Sequence, residues 1–73
     1  MAAMEWAAIV GGNIRRLRKA KGLTQEQLAH DSGVAMRYVA GVERGEENPS
    51  LKFLVMIAEA LAVEPAVLLM RVP

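Results

Sequence analysis

The sequence contains no cysteine and few aromatic residues. Without cysteine, neither a disulfide framework nor a metal site built on thiolates is possible. Aromatic residues account for 4% of the 73 residues and hydrophobic residues for 53%, so we expect a core built mainly from aliphatic side chains. This length allows a single domain, residues 1–73, close to the lower limit at which one core is stable by itself.

Long apolar runs are also absent. No run approaches the ~20 apolar residues that span a bilayer. The N-terminal stretch 1–10 is apolar, but Glu5 interrupts it and it lacks the basic start of a signal peptide. We therefore expect a soluble, cytoplasmic protein that does not associate with a membrane.

Residue patterns typical of enzymes and cofactor sites are missing as well. The sequence has no plausible nucleophile–base pair, no glycine-rich phosphate loop and no cluster of metal ligands. His30 is the single histidine, and only Asp31 stands beside it, so we interpret it as a surface residue. The sequence therefore predicts no catalytic residue, no cofactor, no metal site and no small-molecule ligand.

The net charge is only +1, but the charges are unevenly distributed. Residues 1–23 carry five basic residues against Glu5, a net charge of +4, whereas residues 24–45 carry −1 and residues 46–73 carry −2. A basic end can face phosphates while an acidic end faces away. The alternative is that the basic run 15–21 is only a solvated helix face.

The spacing of apolar residues predicts five helices and no strand. The first helix runs from about Glu5 to Lys21. Gly11 and Gly12 weaken its middle, so the alternative is that it begins there and leaves the N-terminal residues as a loosely attached extension. Its apolar stripe, at spacings of four, four and three residues, consists of Trp6, Val10, Ile14 and Leu17.

The segment 25–44 predicts two short helices joined by a tight turn. Thr24 and Gln27 form a capping box that starts the second helix, which closes near Asp31. Gly33 occupies the turn, where a left-handed backbone needs a residue without Cβ.

The third helix runs from about Met36 to Arg44 and follows Ala35, which has no side chain able to cap it. Its buried face is expected at Val34, Val39 and Val42. Such a unit holds its second helix at the surface, in a position that fits the DNA major groove. The segment therefore favours a DNA-binding protein.

Ser50 caps a fourth helix, and Pro65 occupies the permissive first position of a short fifth helix. The expected apolar face of the fourth helix comprises Leu51, Leu54, Val55, Ile57, Ala58 and Leu61. Apolar residues near the end of the chain exceed what a monomer needs, which predicts a homodimer through the helix 4–5 region. The N-terminal extension with Met1, Met4 and Trp6 either packs over the fifth helix or joins that interface. The residues in excess are Leu61, Val63, Val67, Leu69, Met70 and Val72.

Several short motifs, in their order and spacing, resemble one known family. They are Ile14-Arg-Arg-Leu-Arg18, Gly22-Leu-Thr-Gln25, Gly33-Val34, Glu43-Arg-Gly45, Asn48-Pro-Ser-Leu51 and Ala58-Glu-Ala-Leu-Ala-Val63. Over about residues 12–69 the chain resembles the phage repressor and Cro type, or xenobiotic-response-element type, of helix-turn-helix domain. The segment 37–44 is also similar to the recognition helix of controller proteins from restriction–modification systems. The resemblance implies an all-α, compact five-helix, repressor-like domain that regulates transcription as a homodimer bound to double-stranded DNA at a palindromic operator.

The resemblance also implies which residues contact DNA. Thr24 and Gln25 open the second helix, where Gln25 would contact a phosphate and brace the recognition helix; the alternative for Gln25 is a solvated residue. Arg37 would either bind guanine O6 and N7 or contact a phosphate. Met36 would either touch a thymine methyl or be a plain surface residue.

Further candidates lie along the third helix. Tyr38 would either place its hydroxyl on a phosphate or only pack its ring at the domain edge. Ala35 lacks the hydroxyl common at this position in relatives, and Gly41 would face the groove without a side chain. Sequence specificity is therefore expected to depend heavily on Arg37 and on DNA shape.

The loop after the third helix departs from an ideal DNA-binding sequence. Arg44 and Asn48 should lie along the DNA backbone, whereas Glu46 and Glu47 would repel phosphates. Direct contacts from this loop are therefore expected from Asn48 and backbone amides.

The resemblance implies one structural ion pair, Arg18–Glu43, which would tie the first helix to the end of the third. We expect this pair to orient the recognition helix without contacting bases. A second hypothesis for the whole chain is a protein-interaction module of the same fold, an antitoxin-like partner or a coactivator bridge. Salt dependence separates the two functions, because only DNA binding should weaken steeply with salt.

Overall fold

The computed structural model describes residues 3–72 of the chain, with side chains from residue 5 onward. Four α-helices follow one another: α1 (Ala3–Ala20), α2 (Gln25–Ser32), α3 (Met36–Glu43) and α4 (Leu51–Leu61). A 3-10 helix, Pro65–Leu69, comes last, and residues 3–72 contain no strand. None of these helices is both long enough and apolar enough to cross a membrane. The predicted all-α class is confirmed, but the predicted count of five helices is not, because the fifth element is a 3-10 helix.

The last element is a short 3-10 helix whose C-terminal end is bonded to α1. Pro65 starts it, and by Met70 the backbone is already extended (φ −81°, ψ 137°). The side-chain amide of Asn13 donates hydrogen bonds to the carbonyl oxygens of Leu68 and Met70, at 2.9 and 2.7 Å. Asn13 lies on α1 and is buried, so these two bonds hold the C-terminal segment against α1.

Helix α1 runs without interruption through Gly11 and Gly12. Residues 3–10 belong to this helix and Val10 is buried, so the alternative in which the helix begins at the two glycines is wrong. Gly11 faces the end of α3, where an added Cβ would overlap the Val42 carbonyl oxygen and lie 2.9 Å from the Glu43 carbonyl oxygen. The absence of a Cβ at Gly11 therefore allows α1 and α3 to approach closely.

Trp6 is a residue of α1 and lies near the C-terminal segment. The Arg71 guanidinium stands over the indole ring, 4.9 Å from the ring centroid, and its Nη1 lies 3.7 Å from a Glu5 carboxylate oxygen. Trp6 therefore packs toward the C-terminal segment, in agreement with one of the two arrangements considered; its part in a dimer interface stays a prediction. Met1, also considered there, lies outside the described residues.

The predicted helix caps are present. The Gln27 N–H donates to Thr24 Oγ1 at 3.0 Å, and the Thr24 N–H donates to the Gln27 side-chain oxygen at 2.8 Å. The Phe53 N–H donates to Ser50 Oγ at 3.0 Å. Gly33 ends α2 with φ +76°, in the left-handed region that favours glycine.

The helices enclose one core, and most predicted apolar positions enter it. Leu51 does not: it is 74% exposed, because it stands two residues before the buried Phe53, about 200° away around α4. Leu61 was expected among the residues in excess, but it is fully buried within the monomer. The buried cluster consists of Val10, Ile14, Leu28, Ala29, Val39, Val42, Phe53, Ile57, Ala58, Leu61 and Leu68.

The two neighbouring glycines of α1 provide a matched test of its close packing on α3. Gly11→Ala should destabilise the protein by about 1–3 kcal/mol, the usual effect of overpacking, because the backbone oxygens that its Cβ meets cannot move away. Gly12→Ala meets no atom within 4 Å, and the better helix propensity of alanine should leave stability unchanged or raise it by up to ~1 kcal/mol. Chemical denaturation at one fixed protein concentration measures both. Equal stability of the two variants would contradict the packing argument.

Candidate nucleic-acid interface

The turn between α2 and α3 fixes how the two helices meet. The backbone N–H groups of Gly33 and Val34 both donate to the Ala29 carbonyl oxygen, at 2.9 and 3.1 Å. Ala29 is small and buried. With the turn fixed in this way, α3 directs Val39 and Val42 into the core. The helix-turn-helix unit predicted from the sequence is therefore present.

The opposite side of α3 faces solvent. At 100° per residue, Arg37 and Arg44 lie on the side of the helix away from Val39 and Val42, and both arginines are exposed. Met36, in the first turn, is 48% exposed. The side of α3 that carries Arg37 and Arg44 is called the outer face below.

A hydrogen-bonded network joins the ends of three helices behind the outer face. Arg18 Nε and Nη2 donate to the two carboxylate oxygens of Glu43, at 2.7 and 3.0 Å. Arg18 Nη1 donates to the Leu23 carbonyl oxygen at 2.8 Å, and Gln25 Nε2 donates to Glu43 Oε1 at 3.0 Å. The ion pair predicted between Arg18 and Glu43 is therefore present, and it connects α1, the start of α2 and the end of α3.

The Arg18–Glu43 pair is almost entirely removed from water. The two side chains are 10% and 2% exposed. The hydrogen bond to Glu43 raises the pKa of Arg18 above its ordinary value; burial opposes the shift, and the negative charge of Glu43 adds to it. An arginine side chain keeps its charge in proteins, so this buried guanidinium needs its partner.

Gln25 uses its amide nitrogen within this network. Its side chain is half-buried and points to Glu43 at the end of α3, which agrees with the expectation that it braces this helix. Thr24, the residue before it, is exposed. Contact of either residue with a phosphate stays a prediction.

Tyr38 and Phe53 form an aromatic pair at the side of α3. Their ring centroids are 4.8 Å apart and the ring planes meet at 86°, an edge-to-face arrangement. This geometry agrees with the alternative in which the Tyr38 ring packs at the edge of the domain. The proposed contact of its hydroxyl with a phosphate stays a prediction.

Gly41 differs from its expected environment. It was expected to face the groove without a side chain, but it is buried. The cause is Glu47, whose Cγ and Oε2 lie 3.0 and 3.2 Å from the position of a Cβ on Gly41. The Glu46 N–H donates to the Gly41 carbonyl oxygen at 3.0 Å, which holds the loop against the helix.

The other predicted contact residues occupy exposed positions. Arg44 Nε donates to Glu46 Oε1 at 3.0 Å in an ion pair that is open to solvent. Ala35 is exposed at the start of α3 and makes no side-chain cap. Asn48 is exposed as well and lines a shallow groove with Trp6.

Sequence reasoning missed the roles of three residues. Asn13 stood unremarked, although its place three residues after Val10 and one before Ile14 puts it beside the apolar stripe of α1. Phe53, the single phenylalanine, was passed over in favour of Leu51. Glu47 was considered only as a repulsive charge, since the sequence gives no sign that its side chain folds back onto α3.

Comparisons with known proteins agree on one family. Residues 14–68 match the HTH_3 family, described as helix-turn-helix. The control protein C.SmaI from Serratia marcescens is 40% identical over 68 residues, which cover 93% of this chain and 81% of that protein. The crystal structure of the restriction–modification controller protein C.AhdI from Aeromonas hydrophila has a TM-score of 0.83 at 48% identity and covers 85% of this chain and 94% of its own. The crystal structure of SinR, a master regulator for biofilm formation, in complex with DNA has a TM-score of 0.81 at 37% identity, over 84% and 98% of the two chains.

The same substitution, glutamate to glutamine, can be made in the buried pair and in an exposed pair, and the comparison tests the network. Glu43→Gln should lower the free energy of unfolding by about 1.5–3 kcal/mol, the range for a hydrogen bond to a charged group, because Arg18 is left without a counter-charge. Glu46→Gln removes an exposed pair and should cost at most about 1 kcal/mol. Thermal and urea unfolding measure both variants. An unchanged melting temperature for Glu43→Gln would contradict the structural role of the pair.

Proposed function

The chain belongs to the HTH_3 family of helix-turn-helix proteins, and from this membership we propose that it regulates transcription by binding a palindromic operator as a homodimer. Its named relatives are regulators, controller proteins and repressors. DNA is the proposed partner, in agreement with the cytoplasmic location expected from the sequence.

The observation that carries the proposal is the outer face of α3. Two exposed arginines, Arg37 and Arg44, stand on a short helix whose position is fixed from behind by the network of Arg18, Gln25 and Glu43. A rigidly held helix with exposed cations is what insertion into the major groove requires. An α-helix with its side chains is about 10–12 Å across, which fits the ~12 Å width of that groove.

Arg37 is the proposed base-contacting residue. It lies in the first turn of α3, where side chains reach base edges, and its guanidinium can bond to both O6 and N7 of guanine. Met36 beside it offers an apolar contact for a thymine methyl. Phosphate contacts are proposed for Thr24, Gln25, Ala35 through its backbone, Tyr38, Arg44 and Asn48.

The homodimer is proposed to form through the C-terminal residues. Leu69, Met70 and Val72 are 47%, 58% and 57% exposed, and the bonds from Asn13 hold their backbone in place. Two copies related by a twofold axis would place two recognition helices on half-sites about one helical turn, ~34 Å, apart. The same exposed residues favour the second candidate function, in which a different protein binds there.

Selection from a randomised DNA pool tests the role of Arg37. We expect the protein to enrich a palindrome with guanine at a fixed position in each half-site, and binding to weaken steeply as salt rises. Arg37→Ala should reduce discrimination at that position by roughly 5- to 150-fold, the value of a bidentate contact.

Arg37→Lys separates the two roles considered for this side chain. Lysine keeps the charge but loses the planar pair of donors, so the guanine preference should fall while the salt dependence stays. Equal loss of affinity for all sequences in Arg37→Ala would assign Arg37 to a phosphate instead. If the wild-type protein enriched no sequence and its binding did not depend on salt, the protein-interaction module would be the better hypothesis.

Sedimentation tests the proposed dimer. The wild-type protein should sediment as a dimer at tens of micromolar, and Met70→Glu should sediment as a folded monomer, because a charge would be buried at the interface. Met36→Glu places the same charge at a similarly exposed methionine on the outer face of α3 and should stay dimeric. A wild-type monomer at this concentration, or a dimer that tolerates Met70→Glu, would contradict the proposal.

A further inference from the structure

The side chain of Glu47, in the loop after α3, covers a part of the α3 surface where the helix has only a glycine. Arg37, Gly41 and Arg44 recur at spacings of four and three residues and so share one side of α3. That side faces solvent at both arginines, yet Gly41 between them is buried. Glu47 covers it, with its Cγ 3.0 Å and its Oε2 3.2 Å from the position of the absent Cβ.

Backbone contacts hold Glu47 in this position. The Glu46 N–H donates to the Gly41 carbonyl oxygen at 3.0 Å, and the Gly45 N–H donates to the Val42 carbonyl oxygen at 2.9 Å. Gly45 has φ +77°, so the chain turns back sharply after α3. The loop thereby presents the Glu47 side chain on the outer face of the helix.

The Glu47 carboxylate keeps its hydrogen-bonding capacity. Among the described residues, Arg44 pairs with Glu46 and Arg18 pairs with Glu43, whereas no hydrogen bond or ion pair involves Glu47. Glu47 is exposed. An acceptor without a partner therefore stands between the two arginines of the outer face.

We propose that Glu47 is a specificity-determining residue that accepts a hydrogen bond from the N4 amino group of a cytosine in the major groove. This inference rests on the proposed function, because it assumes that the outer face of α3 enters the groove. Gly41 has a role in it, since any larger residue there would displace the Glu47 side chain.

The chemistry of the base edges selects cytosine over the other three bases. In the major groove, cytosine presents the N4 amino donor, whereas guanine presents only the acceptors N7 and O6. Thymine presents the O4 acceptor, and adenine places the N7 acceptor beside its N6 donor. A carboxylate is attracted by the first pattern and repelled by acceptors, so Glu47 would discriminate by repulsion as well as by bonding.

The cytosine should lie close to the guanine that Arg37 is proposed to contact. Arg37 and Gly41 are one turn apart on α3, about 6 Å. The two bases should therefore lie within a few base pairs of each other in each half-site.

Selection from the randomised DNA pool with Glu47 variants tests the inference. The wild-type protein should enrich a half-site with one fixed cytosine besides the guanine assigned to Arg37. Glu47→Gln should shift that position toward adenine, which a glutamine amide contacts at N6 and N7. Glu47→Ala should relax the position, and the preference for cytosine should fall roughly 5-fold, the lower end of the effect of one good base contact.

One further variant is a control and another is a second test of the inference. Glu46→Gln removes the same charge from the neighbouring residue and should leave all base preferences unchanged. Gly41→Ala puts a Cβ 3.0 Å from Glu47 Cγ, so it should displace the carboxylate and weaken the cytosine preference, while the better helix propensity of alanine preserves the fold. Circular dichroism checks that each variant is folded.

The outcomes are distinguishable. Glu47 would act only by repelling phosphates if Glu47→Gln and Glu47→Ala bound every sequence more tightly with unchanged base preferences, and this would overturn the inference while leaving the proposed function intact. A wild-type operator without a fixed cytosine would also overturn it. If the wild-type protein enriched no sequence at all, the proposed function would fail together with the inference that rests on it.

Discussion

The position of α3 depends on one buried ion pair. Arg18 and Glu43 are almost fully removed from water, and every polar group of the pair that faces inward is satisfied by a bond to the other residue, to Leu23 or to Gln25. A charge buried without its partner is costly, so the pair forms only when the ends of α1 and α3 and the start of α2 meet in one arrangement. The aliphatic core supplies the larger free energy, but it has no such directional requirement.

Close backbone approach supplies the second constraint on α3. A glycine in the middle of a helix is unfavourable for the isolated helix, yet Gly11 lies where any Cβ would overlap the backbone of α3. A glycine inside a helix therefore has two different environments in this chain. Gly11 is required by packing, and Gly12 beside it meets no neighbour. Only the position of α3 distinguishes the two glycines.

The C-terminal segment is linked to the recognition unit through α1. Asn13 holds the carbonyl groups of Leu68 and Met70 one turn or more along the same helix from Arg18, which holds Glu43. The proposed dimer surface and the proposed DNA surface are thus attached to one rigid element. A fixed distance between the two half-sites of an operator requires such a rigid connection, because the spacing of the recognition helices is set by the interface between subunits.

Sequence reasoning alone could predict the four α-helices, their caps, the turn at Gly33 and most of the aliphatic core, because these follow from local propensity, capping chemistry and apolar spacing. It also predicted the site from Arg37 to Arg44 and, through a family resemblance, the Arg18–Glu43 pair. Three features could be recognised only in the folded chain: α1 continues through its glycines, the last element is a 3-10 helix, and Glu47 covers Gly41. Each of these features depends on contacts between residues that lie apart along the chain or on the path of a loop. The apolar period of a single helix contains no information about such contacts.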